Sequence, residues 1–91
     1  MEKIHKEMLV KGKVQGVFFR TSAKMAADDL GIKGQIRNLP NGNVLIAAEG
    51  EVSQMEAFIA WCRQGPPLAK VTELSITVSP LKYYAGFEIV R

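Results

Sequence analysis

The amino-acid sequence predicts an α+β fold, a two-layer sandwich in which two helices cover one face of a mostly antiparallel sheet. Three observations lead there. Apolar residues alternate with a period of two in several short segments, two longer segments repeat at helical spacing, and glycine or proline closes most of them.

The first strand is expected from Lys6 to Val14. Met8, Val10 and Val14 share one parity with Gly12, whereas Glu7, Lys11 and Lys13 share the other, as on a half-buried strand. After Arg20, Thr21 or Ser22 is placed to cap a helix in which Ala23, Ala26, Ala27 and Leu30 repeat at helical spacing. Lys24, Asp28 and Asp29 then face water, and Gly31 ends the helix. Residues 33–39 and 43–50 read as two strands joined through Pro40-Asn41-Gly42, because Asn-Gly supplies the positive backbone angles of a tight hairpin. Val44, Ile46 and Ala48 alternate inward. The second helix covers Val52 to Gln64, with Val52, Met55, Phe58, Ile59 and Cys62 in one apolar stripe and Gly65-Pro66-Pro67 forbidding continuation. Trp61 borders that stripe, and Cys62 reads as a small core residue with nothing nearby to activate a thiolate. Leu74, Ile76 and Val78 alternate in a further strand, residues 80–85 form a loop carrying Tyr83 and Tyr84, and residues 86–90 close the sheet as a short extra strand. The succession βαββαβ matches the split βαβ arrangement of ferredoxin-like domains. No repeat, low-complexity tract or linker interrupts it, so residues 1–91 are expected to form one domain.

Composition narrows the function classes. With 91 residues, 47% of them apolar, the chain can bury one shared core, and two independent domains are not expected. Twelve basic and nine acidic residues give a net charge of +3, which suits an anionic ligand but lacks the dense clustering of a nucleic-acid arm. The lone cysteine excludes an intrachain disulfide or a cysteine-based zinc cluster, so a reducing compartment, the cytoplasm, is expected. The segment Met1 to Glu7 has no signal region, and no run approaches the roughly 18 to 20 apolar residues that span a bilayer. Nothing in the apolar pattern demands a partner, which makes a monomer the expectation.

Function must then sit in the loops. Gly12 to Arg20 carries a strand end into a helix start, where backbone amides have no intrahelical partner and the helix dipole favours negative charge. Gly16 lets the backbone fold around a ligand, and Arg20 adds a planar fork of donors that matches two phosphate oxygens. The spacing fits neither a Walker loop nor the dinucleotide fingerprint. On these grounds alone an ordinary connection with a surface arginine stands equally open.

The residues carry more than the spacing. Gly12-x-Val14-Gln15-Gly16-Val17-x-Phe19-Arg20 closely resembles the signature of the acylphosphatase family. Gly34-x-Ile36-Arg37-Asn38-x-x-x-Gly42-x-Val44, followed by Gly50, resembles that family's second signature. The resemblance extends to the element order and to the stop after the second helix, and so spans essentially the whole chain. It implies hydrolysis of the carboxyl-phosphate bond of acyl phosphates, with Arg20 as the phosphate-binding arginine and Asn38 as the asparagine that orients the attacking water. The backbone amides of Gln15, Gly16, Val17, Phe18, Phe19 and Arg20 would complete the cradle, and inorganic phosphate would be product and inhibitor. Two residues depart from the family pattern: Gln35 stands where an aromatic residue is usual, and Ala23 where a hydroxyl residue is frequent.

The residue types suit that chemistry. A carboxylate leaving group has a low pKa and needs no general acid, and Asn38 can position a water but cannot deprotonate it at neutral pH. No metal or cofactor is expected, because the one histidine, His5, is placed before the first strand and Asp28-Asp29 fall on a polar helix face. An RNA-recognition module would need aromatic residues on the open sheet face, where Leu9, Lys11, Leu45 and Ala47 are expected instead. Neither nucleic acid nor a membrane is therefore an expected partner. A regulatory domain that binds a small phosphate compound without turnover remains an alternative.

Overall fold

The two-residue period along the first strand is realised in three dimensions: Met8 and Val10 are fully buried on one side of β1 (Lys3–Lys13). A computed structural model describes residues 2–91. The remaining elements are α1 (Phe19–Leu30), β2 (Lys33–Asn38), β3 (Val44–Glu51), α2 (Val52–Gln64), β4 (Lys70–Ser79) and β5 (Phe87–Ile89). They build one sheet of order β4-β1-β3-β2-β5. Its first four strands pair antiparallel, and β5 runs parallel to β2. Val44, Ile46 and Ala48 of β3 are fully buried in the core with Ile36 of β2. Helix α1 adds Phe19, Ala23 and Ala27 to that core, and α2 adds Met55, Phe58 and Cys62. Trp61 packs edge-on against Phe19 and stacks on Phe58, with centroids 5.5 and 6.5 Å away, so it joins the two helices. This is the expected ferredoxin-like α+β sandwich.

Several boundaries and placements differ from the sequence reading, each for a physical reason. Strand β1 begins three residues earlier than Lys6, at Lys3, and contains His5. That residue is buried on the face opposite Met8, directly across from Glu49 of β3. Neither Thr21 nor Ser22 caps α1. The helix starts at Phe19, behind a left-handed Phe18 (φ 63°) with no side-chain cap bond, while Gly31 ends it as anticipated. In the hairpin only Gly42 takes a positive φ, 94°, and the turn closes through Gly42 N–H to the Leu39 carbonyl. Lys24 is not left to water: its Nζ donates to Asp28 at 3.0 Å and to the Phe87 carbonyl at 2.9 Å. Val52 is exposed although it belongs to the apolar stripe, as are Ile76 and Val78, which lie on the edge strand β4. Strand β5 is confined to Phe87–Ile89 within the expected 86–90.

One close backbone approach and one side-chain anchor fix the sheet and the loop beside it. At Gly34 (φ 147°) an added Cβ would collide with the Ala47 carbonyl of β3. On the open face, the Glu49 carboxylate reaches into the loop between β4 and β5 and accepts the backbone N–H groups of Lys82, Tyr83 and Tyr84. His5 Nδ1 lies 3.2 Å from the same carboxylate. Burial alone would raise the Glu49 pKa, but the N–H donors of residues 82–84 and the neighbouring His5 outweigh it and hold the group below its ordinary value.

Candidate active site

Where β1 ends, the chain turns through residues 14–18 before α1 begins. Gly16 and Phe18 both adopt the left-handed conformation (φ 74° and 63°), on either side of Val17. Alternating backbone conformations of this kind bring successive N–H groups to one side of the chain as an anion nest. None of the N–H groups of residues 15–18 donates to a backbone carbonyl among the described residues. Those of Phe19, Arg20 and Thr21 belong to the first helical turn, where no intrahelical acceptor exists. The loop therefore presents free donors at the positive end of the helix dipole.

These donors border a cavity of about 210 Å³. Gln15, Gly16, Phe18, Phe19 and Arg20 line it together with Asn38, the last residue of β2. Val14 and Thr21, which are not among the expected cradle residues, complete the wall. Of the expected cradle residues, Val17 alone does not line the cavity, since its side chain is buried in the core. Arg20 is half-buried and takes part in none of the ion pairs His5–Glu7, His5–Glu49, Lys11–Glu73 and Lys24–Asp28, so its charge is available to a ligand. Asn38 Oδ1 is buried and has no hydrogen-bond partner in the protein. A polar atom so placed requires a donor, because an unsatisfied buried acceptor costs about 1–3 kcal/mol.

The Gln15 side chain spans the gap between the loop and the β2–β3 hairpin. Its Nε2 donates to the carbonyls of Leu39 at 2.8 Å and Asn43 at 2.9 Å. The family resemblance implies a role only for the backbone amide of Gln15. A second cavity of about 430 Å³ shares Arg20, Thr21 and Asn38 with the first and continues along Ile89, Val90 and Arg91. No motif pointed to that C-terminal segment, which reaches the site because β5 lies beside β2 and Val90 N–H bonds the Ile36 carbonyl at 2.9 Å. A larger cavity, about 610 Å³, lies between the helices near Met25, Leu30, Trp61 and Pro66, away from both motifs. Its apolar lining offers no cationic group to a phosphate. Among the described residues no group of three or more His, Cys, Asp or Glu side chains is gathered to hold a metal ion. Gln35 lies on the face opposite the fully buried Ile36, beside Arg37 and Tyr84 and outside both cavities at the cradle.

Comparison with known proteins agrees with this geometry. The family model described as acylphosphatase matches residues 6–89. A Methylococcus capsulatus acylphosphatase is 50% identical over 76 residues, covering 84% of this chain and 80% of that protein. One from Thermococcus kodakarensis is 40% identical over 90 residues, 99% of each chain. Among solved structures, the acylphosphatase of Bacillus subtilis superposes with a TM-score of 0.94 at 36% identity, covering 97% of this chain and 99% of that one. With both signatures placed on one cavity and near full-length similarity on either side, the chain belongs to the acylphosphatase family.

Proposed function

We propose that this hydrolase of acyl phosphates holds its substrate's phosphoryl group on Arg20 and the amides of residues 15–20, while Asn38 presents the attacking water. The observation that carries this reading is Asn38 Oδ1, a buried acceptor without a protein partner, on a residue that lines the same cavity as Arg20. A water donating one hydrogen to that oxygen is oriented with a lone pair toward phosphorus. Its oxygen forms the new P–O bond as the bond to the acyl oxygen breaks, and the electron pair leaves with the carboxylate. The water's proton passes to a phosphoryl oxygen, giving inorganic phosphate without a covalent intermediate. Arg20 and the amides stabilise charge on the non-bridging oxygens, as a preorganised set of donors does best in a confined site. The acyl group would extend into the adjoining cavity along Ile89 and Arg91.

The mechanism needs neither metal nor cofactor, and inorganic phosphate should compete with substrate. The same reading has the chain act as a single-domain monomer in the cytoplasm. No helix among the described residues is long and apolar enough to cross a membrane. The test is hydrolysis of acetyl or benzoyl phosphate with a chelator present. Turnover should persist. Arg20→Gln should lower kcat/KM by about 10³-fold and abolish phosphate inhibition, and Asn38→Ala should lower kcat by about 10²-fold with KM little changed. Wild-type activity in either variant would remove that residue's role, and loss of activity to the chelator would remove the metal-free mechanism.

A further inference from the structure

We infer that Gln15 is a positioning residue that sets Asn38 against the phosphate cradle, which gives its side chain a role separate from its backbone amide. This inference rests on the reading that Asn38 orients the attacking water. Both hydrogens of the Gln15 amide are used, one on the Leu39 carbonyl and one on the Asn43 carbonyl. Two carbonyl acceptors also fix which end of the amide points to the hairpin, since a rotated Gln15 would set its own oxygen against them. The acceptors are well chosen for leverage. Leu39 is bonded directly to Asn38, and Leu39 N–H donates to the Asn43 carbonyl at 2.8 Å, so one side chain grips both strands of the hairpin at its neck.

The hairpin needs such a grip. Residues 15–18 donate no backbone hydrogen bond to another segment, and Asn38 ends β2, with its ladder partner Val44 as the last pair before the turn. Packing of Val14 and Val17 holds the base of the loop in the core but does not reach the turn residues that follow Asn38. Among the side-chain hydrogen bonds of the described residues, those of Gln15 are the ones that connect cradle and hairpin. A water held at the wrong distance from phosphorus loses the benefit of proximity steeply, with a shift of about 1 Å worth roughly 10²-fold in rate.

The experiment is a double-mutant cycle with acetyl phosphate turnover and inorganic phosphate inhibition as readouts. Gln15→Leu removes both donors at similar volume. It should lower kcat by about 10- to 100-fold while the inhibition constant for phosphate stays within about 3-fold. In an Asn38→Ala background the same substitution should lower kcat by less than about 3-fold, because the group it positions is already gone. Gln15→Asn keeps the amide on a shorter arm and should give an intermediate kcat with the same split. It serves as the second variant where Gln15→Leu fails to bind phosphate through misfolding. An equal loss of kcat in both backgrounds, or phosphate inhibition weakening in step with kcat, would overturn the inference. Wild-type kcat in Asn38→Ala alone would instead overturn the reading of Asn38, so the two failures are distinguishable.

Discussion

Replacing Glu49 by Gln should destabilise the fold by about 2–3 kcal/mol at neutral pH without touching the cradle. One carboxylate oxygen accepts N–H groups of Lys82 and Tyr83, the other that of Tyr84, so both oxygens are held by backbone donors. Glutamine keeps one acceptor oxygen and turns an NH2 toward the remaining donor. The change thus removes a charge-assisted bond, each worth about 1.5–3 kcal/mol, and leaves a backbone N–H facing another donor. The pH dependence has a definite sign. Because the folded-state pKa lies below the ordinary 4.5, stability from this group is fully present above that value and is lost as pH falls through the folded pKa. The advantage of wild type over Glu49→Gln should therefore shrink by about 1.4 kcal/mol per pH unit within that window. Urea unfolding at pH 7 and at a series of acidic pH values measures both quantities. A difference below about 0.5 kcal/mol at pH 7, or one that does not decline in acid, would refute the assignment of Glu49 as an ionised anchor of the 82–84 loop.

Two further outcomes are expected. Gly34→Ala should be far more damaging than Gly42→Ala: both positions have positive φ, 147° and 94°, but a Cβ at Gly34 meets the Ala47 backbone whereas at Gly42 it meets open space. Denaturant midpoints should place the first loss at about 3 kcal/mol or more and the second at about 1 kcal/mol, and equal losses would contradict the close β2–β3 approach. Cys62 is fully buried and its thiol is pushed well above the usual range by that burial. A thiol reagent at pH 8 should label it only at the rate of global unfolding, and prompt stoichiometric labelling of the native protein would show the α2 face to be open.

Legibility followed the source of burial. Val44, Ile46 and Ala48 announced themselves because they lie on a strand flanked on both sides, where helices cover one face and period two is enforced. Ile76 and Val78 carry the same alternation but sit on the edge strand, so the pattern overstated their burial. At His5 the pattern understates burial instead. It shares parity with Glu7 and Lys11 and is buried beside Glu49, a cross-strand neighbour distant in sequence, under a face where Tyr84 stands 6.0 Å away ring to ring. The start of α1 is not legible in the sequence because its cap is a backbone conformation at Phe18, while Thr21 and Ser22, the residues with capping chemistry, are already inside the first turn. Arg20 and Asn38 belong to local signatures that a sequence displays directly, and both residues line one cavity. The wall along Ile89, Val90 and Arg91 was not legible, since it depends on the parallel pairing of β5 with β2, which no local pattern encodes.

What the signatures also do not state is how irregular backbone is held in a working shape. A left-handed Phe18, exposed and not glycine, is an unfavourable conformation of about 1–2 kcal/mol that local sequence preference would relax. It persists because the residues on either side, Val17 and Phe19, are buried in the core, while the Gln15 side chain holds the hairpin that carries Asn38. The opposite wall follows the same logic. Glu49 fixes the loop that precedes β5, and β5 in turn delivers Ile89 to Arg91 beside Arg20. Each side of the cavity thus depends on a polar side chain from elsewhere in the chain that bonds backbone and leaves the reacting groups free. Substitutions at Gln15 and Glu49 should accordingly separate in their effects, the first appearing in kcat at nearly constant stability and the second in stability before kcat, although neither residue needs to contact the phosphoryl group through its side chain.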